Sequence, residues 1–423
     1  MQFSFIDGGV TAARGFTANG VLNKIKASRT TNDTALVLSE KICAAAGVFT
    51  QNRVQAECVK LTKAHIASGT AQAVIANSGN ANACTGARGY DDARKEAVAV
   101  AEKTGIAADD VLVLSTGVIG QPLPVEKILG GMDALVGGLS KQGHEAARVA
   151  IMTTDTHYKE AAVETVIGGK TVRLGTMAKG SGMIHINMGT MLAVITTDCA
   201  ISAAMLAQAL RRSVAGTYNC VSIDGDTSTN DSLVILANGM AGNEPIDGEG
   251  ADFDAFVAAL DALNTEMAKK IAADGEGATR LVTCTVTGAA TVADARGLAK
   301  AVISSNLVKA AFFGADANWG RILDAMGYSG FFFTPEKASV SFLSRAGAKR
   351  YFAEGTVNGG AEHSIRVFDC GVPLDFDEDA AKKILSEEAV DILVELADGD
   401  ARGTAWGCDL TYDYVKINGD YRT

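Results

Sequence analysis

The chain has 423 residues, of which 48% are hydrophobic and 21% charged, with a formal net charge of −11. This length supports a large core and more than one domain, and the low charge excludes extended disorder. No basic stripe suggests a nucleic-acid partner, and no apolar run nears the roughly 20 residues that cross a membrane.

In chain order, residues 91–104 read as a helix, with Asp91 or Asp92 as cap and Gly105 as stop. Met191 to Thr197 is a mostly apolar run, expected as a strand buried on both faces. Residues 203–215 follow Ser202, a good N-cap, and predict a second helix. Residues 243–250 are rich in turn formers and read as an exposed connection. The clearest helix is 252–272, where Phe253, Phe256, Val257, Leu260, Leu263, Met267 and Ile271 form one apolar stripe. Strands are expected at 281–286, 339–342 and 365–368, a helix at 377–397 capped by Asp377, and an alternating strand at 408–414. Helices and strands mix without a strict βαβ rhythm, so a layered α+β or αββα fold is preferred to a doubly wound sheet.

The eight cysteines, among them Cys43, Cys58 and Cys84, are scattered without a Cys-x-x-Cys pair. They read as buried thiols of a reducing, cytoplasmic compartment. The start, Met1 to Asp7, lacks a basic n-region and an apolar h-region, so no secretory leader is expected.

The segment from Thr176 to Asp198 carries the most chemistry. Lys179-Gly180-Ser181-Gly182 is a small-residue loop, and it lacks the spacing of a phosphate-binding P-loop. Gly189-Thr190 then stands at the entrance of the apolar strand. A glycine there can adopt a strained conformation, and the Thr190 hydroxyl can attack the Gly189 carbonyl. Hydrolysis of the resulting ester would give Thr190 a free α-amine. That amine, with a pKa of about 7.7–8.0, suits a general base for the hydroxyl of the same residue. On its residues alone, Gly189-Thr190 also reads as an ordinary turn. Asp155 and His157 could share a strand face as metal ligands but lack a third. His185 is a further candidate base, and Trp319 beside Arg321 reads as packing.

Lys179 to His185 with Asn187 to Leu192 resembles the self-cleavage segment of the glutamate N-acetyltransferase/ornithine acetyltransferase family, the ArgJ family. Asn77 to Gly86 and Ser115 to Gly120 are similar to its N-terminal signature and oxyanion segment. Asp224 to Asp231, Asp274 to Thr279, Asn318 to Arg321 and Asn418 to Thr423 follow in family order, so the resemblance spans the chain. Ile186 stands where the family usually has proline, Gly189 where it has alanine, and Ala317 where it has proline. Ile186 removes a backbone constraint ahead of the scissile bond.

The resemblance implies an ArgJ/DmpA-like αββα core over 1–285 and a smaller C-terminal α/β domain over 286–423. It implies Thr190 as nucleophile and base, with the Thr116 side chain and the Gly117 N–H as oxyanion hole. Ser115-Thr116-Gly117 reads equally as a plain turn. The implied substrate contacts are Thr153, Lys179, Thr190, Glu276, Asn418 and Thr423. Lys179 would meet a carboxylate, and Glu276 or the Thr423 carboxylate an amine. The implied reaction moves acetyl from N2-acetyl-L-ornithine to L-glutamate by a ping-pong route in cyclic arginine biosynthesis. No metal or redox cofactor is implied, and acetyl-CoA serves some family members as co-substrate. Chains 1–189 and 190–423 would assemble as an α2β2 heterotetramer. Two other readings are an N-terminal-nucleophile amidase or aminopeptidase, and an uncleaved amino-acid-binding protein.

Overall fold

The computed structural model describes residues 3–185, 191–355, 357, 360 and 362–419. The chain forms two compact units, 1–219 with 226–267 and 220–225 with 268–423. The architecture is α+β, as the sequence predicts. Among the described residues, no helix is long and apolar enough to cross a membrane.

The first unit is organised by one strand of 16 residues, Thr34–Phe49. Its first half pairs with Phe16–Val21 on one edge and Thr70–Asn77 on the other. Past a register shift between Leu38 and Cys43, its second half pairs with Ser232–Ala237. The nine-stranded sheet therefore has two wings joined through this strand. Val74, Leu112 and Leu114 from one wing and Val194, Val234 and Leu236 from the other meet in one buried cluster. On the first wing, Ile75 and Val113 form a second cluster with Leu61, Ala97, Ile128 and Leu135 of the helices Glu57–Ile66, Gly86–Thr104, Val125–Gly130 and Met132–Gly137. Each such fully buried Leu or Ile contributes about 1.5–3 kcal/mol.

The second unit is built on a six-stranded sheet. Leu281–Ala289 lies inside it, parallel to Ala389–Glu395 and antiparallel to Ala401–Cys408. The expected domain boundary at 285/286 falls within this strand, whereas the units divide at 267/268. The helix Val292–Ser304 buries Leu298, Val302 and Ile303 against this sheet.

Several expected elements are present with close bounds: the helices Ala203–Gly216 and Ala251–Ala273, and the strands Leu192–Thr197, Ser339–Ser344 and Ser364–Asp369. Ser202 caps its helix by accepting from the Met205 N–H. Residues 243–250 form the expected connection, exposed except at Asn243 and Ile246.

Three expectations are corrected. The helix predicted at 91–104 starts at Gly86, and Asp92 does not cap it. The Asp92 carboxylate is buried and pairs with Lys95 at 2.9 Å. The helix predicted over 377–397 stops at Leu385, although Asp377 caps it as expected. Val390, Ile392 and Val394 belong instead to the strand Ala389–Glu395, where they pair across from Val282, Cys284 and Val286. The strand predicted over 408–414 ends at Cys408, and Tyr412–Asn418 is a helix. Asp409 turns inward to accept from the Thr279 N–H and hydroxyl at 2.8 and 2.6 Å. Past Cys408 the alternation fails, since the polar Asp409 and Thr411 are buried while Tyr412 is 84% exposed.

Glu96, in the charged run Arg94-Lys95-Glu96, is fully buried, and neither carboxylate oxygen has a hydrogen-bond partner among the described residues. Burial first, and the Asp92 charge second, push its pKa up to about 8. The native state therefore keeps a proton that the unfolded chain, with a pKa of about 4.3, releases. Glu96 contributes stability fully below that unfolded value, and the contribution is lost as pH rises through about 8. Glu96→Gln is expected to remove this decline. Urea midpoints between about pH 5 and pH 8 measure it, and an equal decline in the variant would count against a neutral buried Glu96.

Candidate active site

In the first unit, two parallel strands deliver the oxyanion segment. Thr70–Asn77 and Val111–Ser115 run in register, with Asn77 beside Ser115. The Thr116 N–H donates to the Asn77 carbonyl at 2.9 Å, and the Ala81 N–H to the Val118 carbonyl at 3.0 Å. Gly117 has φ +135°, and a Cβ there would sit 2.3 Å from the Gly79 carbonyl carbon and 2.5 Å from the Asn80 nitrogen. Only glycine allows this backbone-to-backbone crossing. The Gly117 N–H donates to none of the described residues.

Asn230 ties this crossing together. Its side-chain amide donates to the Ser115 carbonyl at 2.8 Å and also to the Ala81 carbonyl. Its Oδ1 accepts from the Thr229 hydroxyl at 2.6 Å.

Lys179 ends the strand Lys170–Lys179 and is buried. Its Nζ lies 3.4 Å from the Thr116 hydroxyl oxygen. Across the sheet Lys179 pairs with Leu192, and the Met191 carbonyl accepts from the Ser232 N–H at 2.8 Å. Gly189 and Thr190 lie outside the described residues, as does Ile186.

Thr153 and Lys179 meet at a residue that sequence reasoning set aside. The Asp155 Oδ1 accepts from Lys159 Nζ and from the Gly180 N–H, both at 2.7 Å. Its Oδ2 accepts from the Thr153 N–H at 3.0 Å. The side chains of Asp155 and Lys159 are 0% and 1% exposed. Burial alone would raise the carboxyl pKa, but the Lys179 and Lys159 charges, and the hydrogen bonds from Lys159 and Thr153, bring it down to about 2. Both oxygens are thus engaged by donors, an arrangement that suits an anchor. His157 is exposed, with Nδ1 2.9 Å from the Thr156 hydroxyl. His185 lies on the short strand Ile184–His185, and its carbonyl accepts from the Thr227 hydroxyl at 3.1 Å.

In the second unit, Glu276 is buried, unlike a solvated loop charge. Its Oε2 accepts from Asn418 Nδ2 at 2.7 Å. The loop is held against the helix Tyr412–Asn418 at Gly277, which has φ +69° and where a Cβ would lie 2.8 Å from Asp413 Cβ. The Thr411 hydroxyl donates to the Gly277 carbonyl at 2.7 Å. Thr423 lies outside the described residues. Trp319 stacks on Phe368 with centroids 4.9 Å apart, and so packs as expected.

The structure therefore brings Thr116, Gly117, Thr153 and Lys179 into one unit, linked through Asp155, and pairs Glu276 with Asn418 in the other. Asp155 and Asn230 are the residues that sequence reasoning did not single out for a role here. Asn230 stood within a quoted motif, and Asp155 was weighed only as a metal ligand.

The profile describing the ArgJ family matches residues 17–423. The arginine biosynthesis bifunctional protein ArgJ of Symbiobacterium thermophilum is 49% identical over 420 residues, covering 99% of this chain and 100% of that protein. The protein of the same name from Caldanaerobacter subterraneus subsp. tengcongensis is 47% identical, covering 99% of both chains. Among solved structures, the ornithine acetyltransferase of Mycobacterium tuberculosis, complexed with ornithine, is 41% identical with a TM-score of 0.41. That match covers 44% of this chain and 99% of the solved one.

Proposed function

The chain belongs to the ArgJ family, and from that premise we propose that it is an acetyltransferase moving the acetyl group of N2-acetyl-L-ornithine to L-glutamate. Cleavage between Gly189 and Thr190 makes the nucleophile. The observation that carries this reading is the placement of Lys179. Its ammonium group stands 3.4 Å from the Thr116 hydroxyl. Its strand partner is Leu192, two residues beyond Thr190.

The Thr190 hydroxyl attacks the acetyl carbonyl while the Thr190 α-amine takes its proton. Negative charge builds on the carbonyl oxygen. Lys179 donates to the Thr116 oxygen, which leaves the Thr116 proton to point at that charge. The Gly117 N–H, held at the crossing with Gly79, supplies the second donor. Collapse of the intermediate breaks the amide bond, and ornithine leaves with the proton. Glutamate then attacks the acetyl-threonine ester and gives N-acetyl-L-glutamate. Lys179 meets the substrate carboxylate, with Thr153 beside it. The scheme draws on no metal or redox group. Thr116→Ala is expected to lower kcat about 10²–10³-fold with a smaller change in KM, measured by steady-state transfer. An unchanged kcat would remove Thr116 from the oxyanion hole.

The fragments 1–189 and 190–423 remain associated as an α2β2 assembly in the cytoplasm, which light scattering of purified protein tests. The decisive assay supplies N2-acetyl-L-ornithine and L-glutamate together and compares N-acetyl-L-glutamate with free acetate. Predominant transfer is expected; predominant acetate would make the chain an amidase. Acetyl-CoA in place of N2-acetyl-L-ornithine tests a second donor.

A further inference from the structure

We propose that Asp155 is a positioning residue for acetyl transfer: its buried carboxylate fixes the Thr153 turn to the Lys179–Gly180 strand end and so sets the substrate contacts of both. This rests on the reading of Lys179 and Thr153 as substrate contacts.

A buried ion pair is by itself a weak stabiliser, and well-packed apolar residues often replace one without loss. The Asp155–Lys159 pair is as buried as such pairs become, at 0% and 1% side-chain exposure. What apolar residues could not supply is the remaining pair of bonds. One oxygen takes the Gly180 N–H, from a segment 25 residues away, and the other takes the Thr153 N–H. Gly180 directly follows Lys179, so this bond fixes where the Lys179 backbone ends. Lys159 is ion-paired with the carboxylate, and Lys179 adds a second positive charge beside it in the interior. The roles divide: the two ammonium groups balance the charge, and Asp155 holds the geometry.

That division gives a test. Asp155→Asn leaves a buried ammonium facing an amide and is expected to lower Tm. Adding Lys159→Met removes that ammonium and is expected to recover most of the Tm. An asparagine has only one side-chain oxygen to accept with, so the Thr153 and Gly180 N–H groups cannot both be held. The D155N/K159M variant should therefore keep a KM for N2-acetyl-L-ornithine about tenfold or more above wild type. In a Lys179→Met background the same pair of substitutions should raise KM by a smaller factor than in wild type, because only the Thr153 contact is left for Asp155 to set.

A D155N/K159M variant with wild-type KM and kcat would overturn the proposal and leave the pair a purely structural element. Full multiplication of the KM effects with K179M would overturn it as well. A wild-type protein that transfers no acetyl would instead refute the functional reading, and the positioning role would fall with it.

Discussion

Thr190→Ala is expected to leave the chain uncut and to abolish acetyl transfer, by a factor on the order of 10⁴ or more. The substitution removes three things at once. It deletes the hydroxyl that attacks Gly189, so the chain stays whole. It deletes the hydroxyl that would carry the acetyl group. It prevents the α-amine from forming, so no base is made. Intact mass measurement should show two fragments for wild type, beginning at Met1 and Thr190, and one full-length chain for the variant. A Thr190→Ser variant separates these effects, because serine keeps a hydroxyl and is expected to retain partial cleavage and transfer. Full transfer by Thr190→Ala would rule out the nucleophile.

Gly117→Ala is expected to be among the most damaging single-methyl changes in the first unit. Its φ of +135° is a conformation that L side chains rarely adopt, and the added Cβ would sit 2.3 Å from the Gly79 backbone. The backbone has no flexible side chain to move aside there. A loss of roughly 3 kcal/mol is expected, together with displacement of Thr116 and loss of transfer. Gly120→Ala is the control. Gly120 also has positive φ, at +81°, but nothing lies within 4 Å of its Cβ position. It should cost only about 1–2 kcal/mol. Equal stability losses in urea would mean that backbone conformation, and not the crossing with Gly79, dictates glycine at 117.

These two residues differ in how far the sequence revealed them. Gly189-Thr190 stood out in the sequence because base and nucleophile can be argued from one residue, and it lies outside the described residues. Gly117 was named through the family resemblance, but the reason it must be glycine was not legible, because that requirement comes from Gly79, just past a neighbouring strand. The same holds for Asp155. Its partners at 153 and 159 are near in sequence, but Gly180 arrives only through the fold. An acidic residue two positions from a histidine looked like half a metal site, and only the geometry made it an anchor.

Secondary structure followed the same division. The stripe in 252–272 and the apolar run before Thr197 carry their period in their own residues, and both elements are present. The region 377–397 misled because its helix and its strand are both apolar every few residues, with only Ser386-Glu387-Glu388 between them. The long strand Thr34–Phe49 carries no clean alternation, since much of it is covered on both faces. Glu96 sits in the charged run Arg94-Lys95-Glu96, yet it is fully buried.

The most direct test traps the intermediate. Purified protein is incubated with N2-acetyl-L-ornithine without glutamate, and the fragments are weighed and sequenced by mass spectrometry. One acetyl group on Thr190, at the start of the second fragment, and its discharge when glutamate is added, are the expected results. Acetyl transfer by an uncut chain, or an acetyl group on any other residue, would contradict a self-made N-terminal threonine nucleophile.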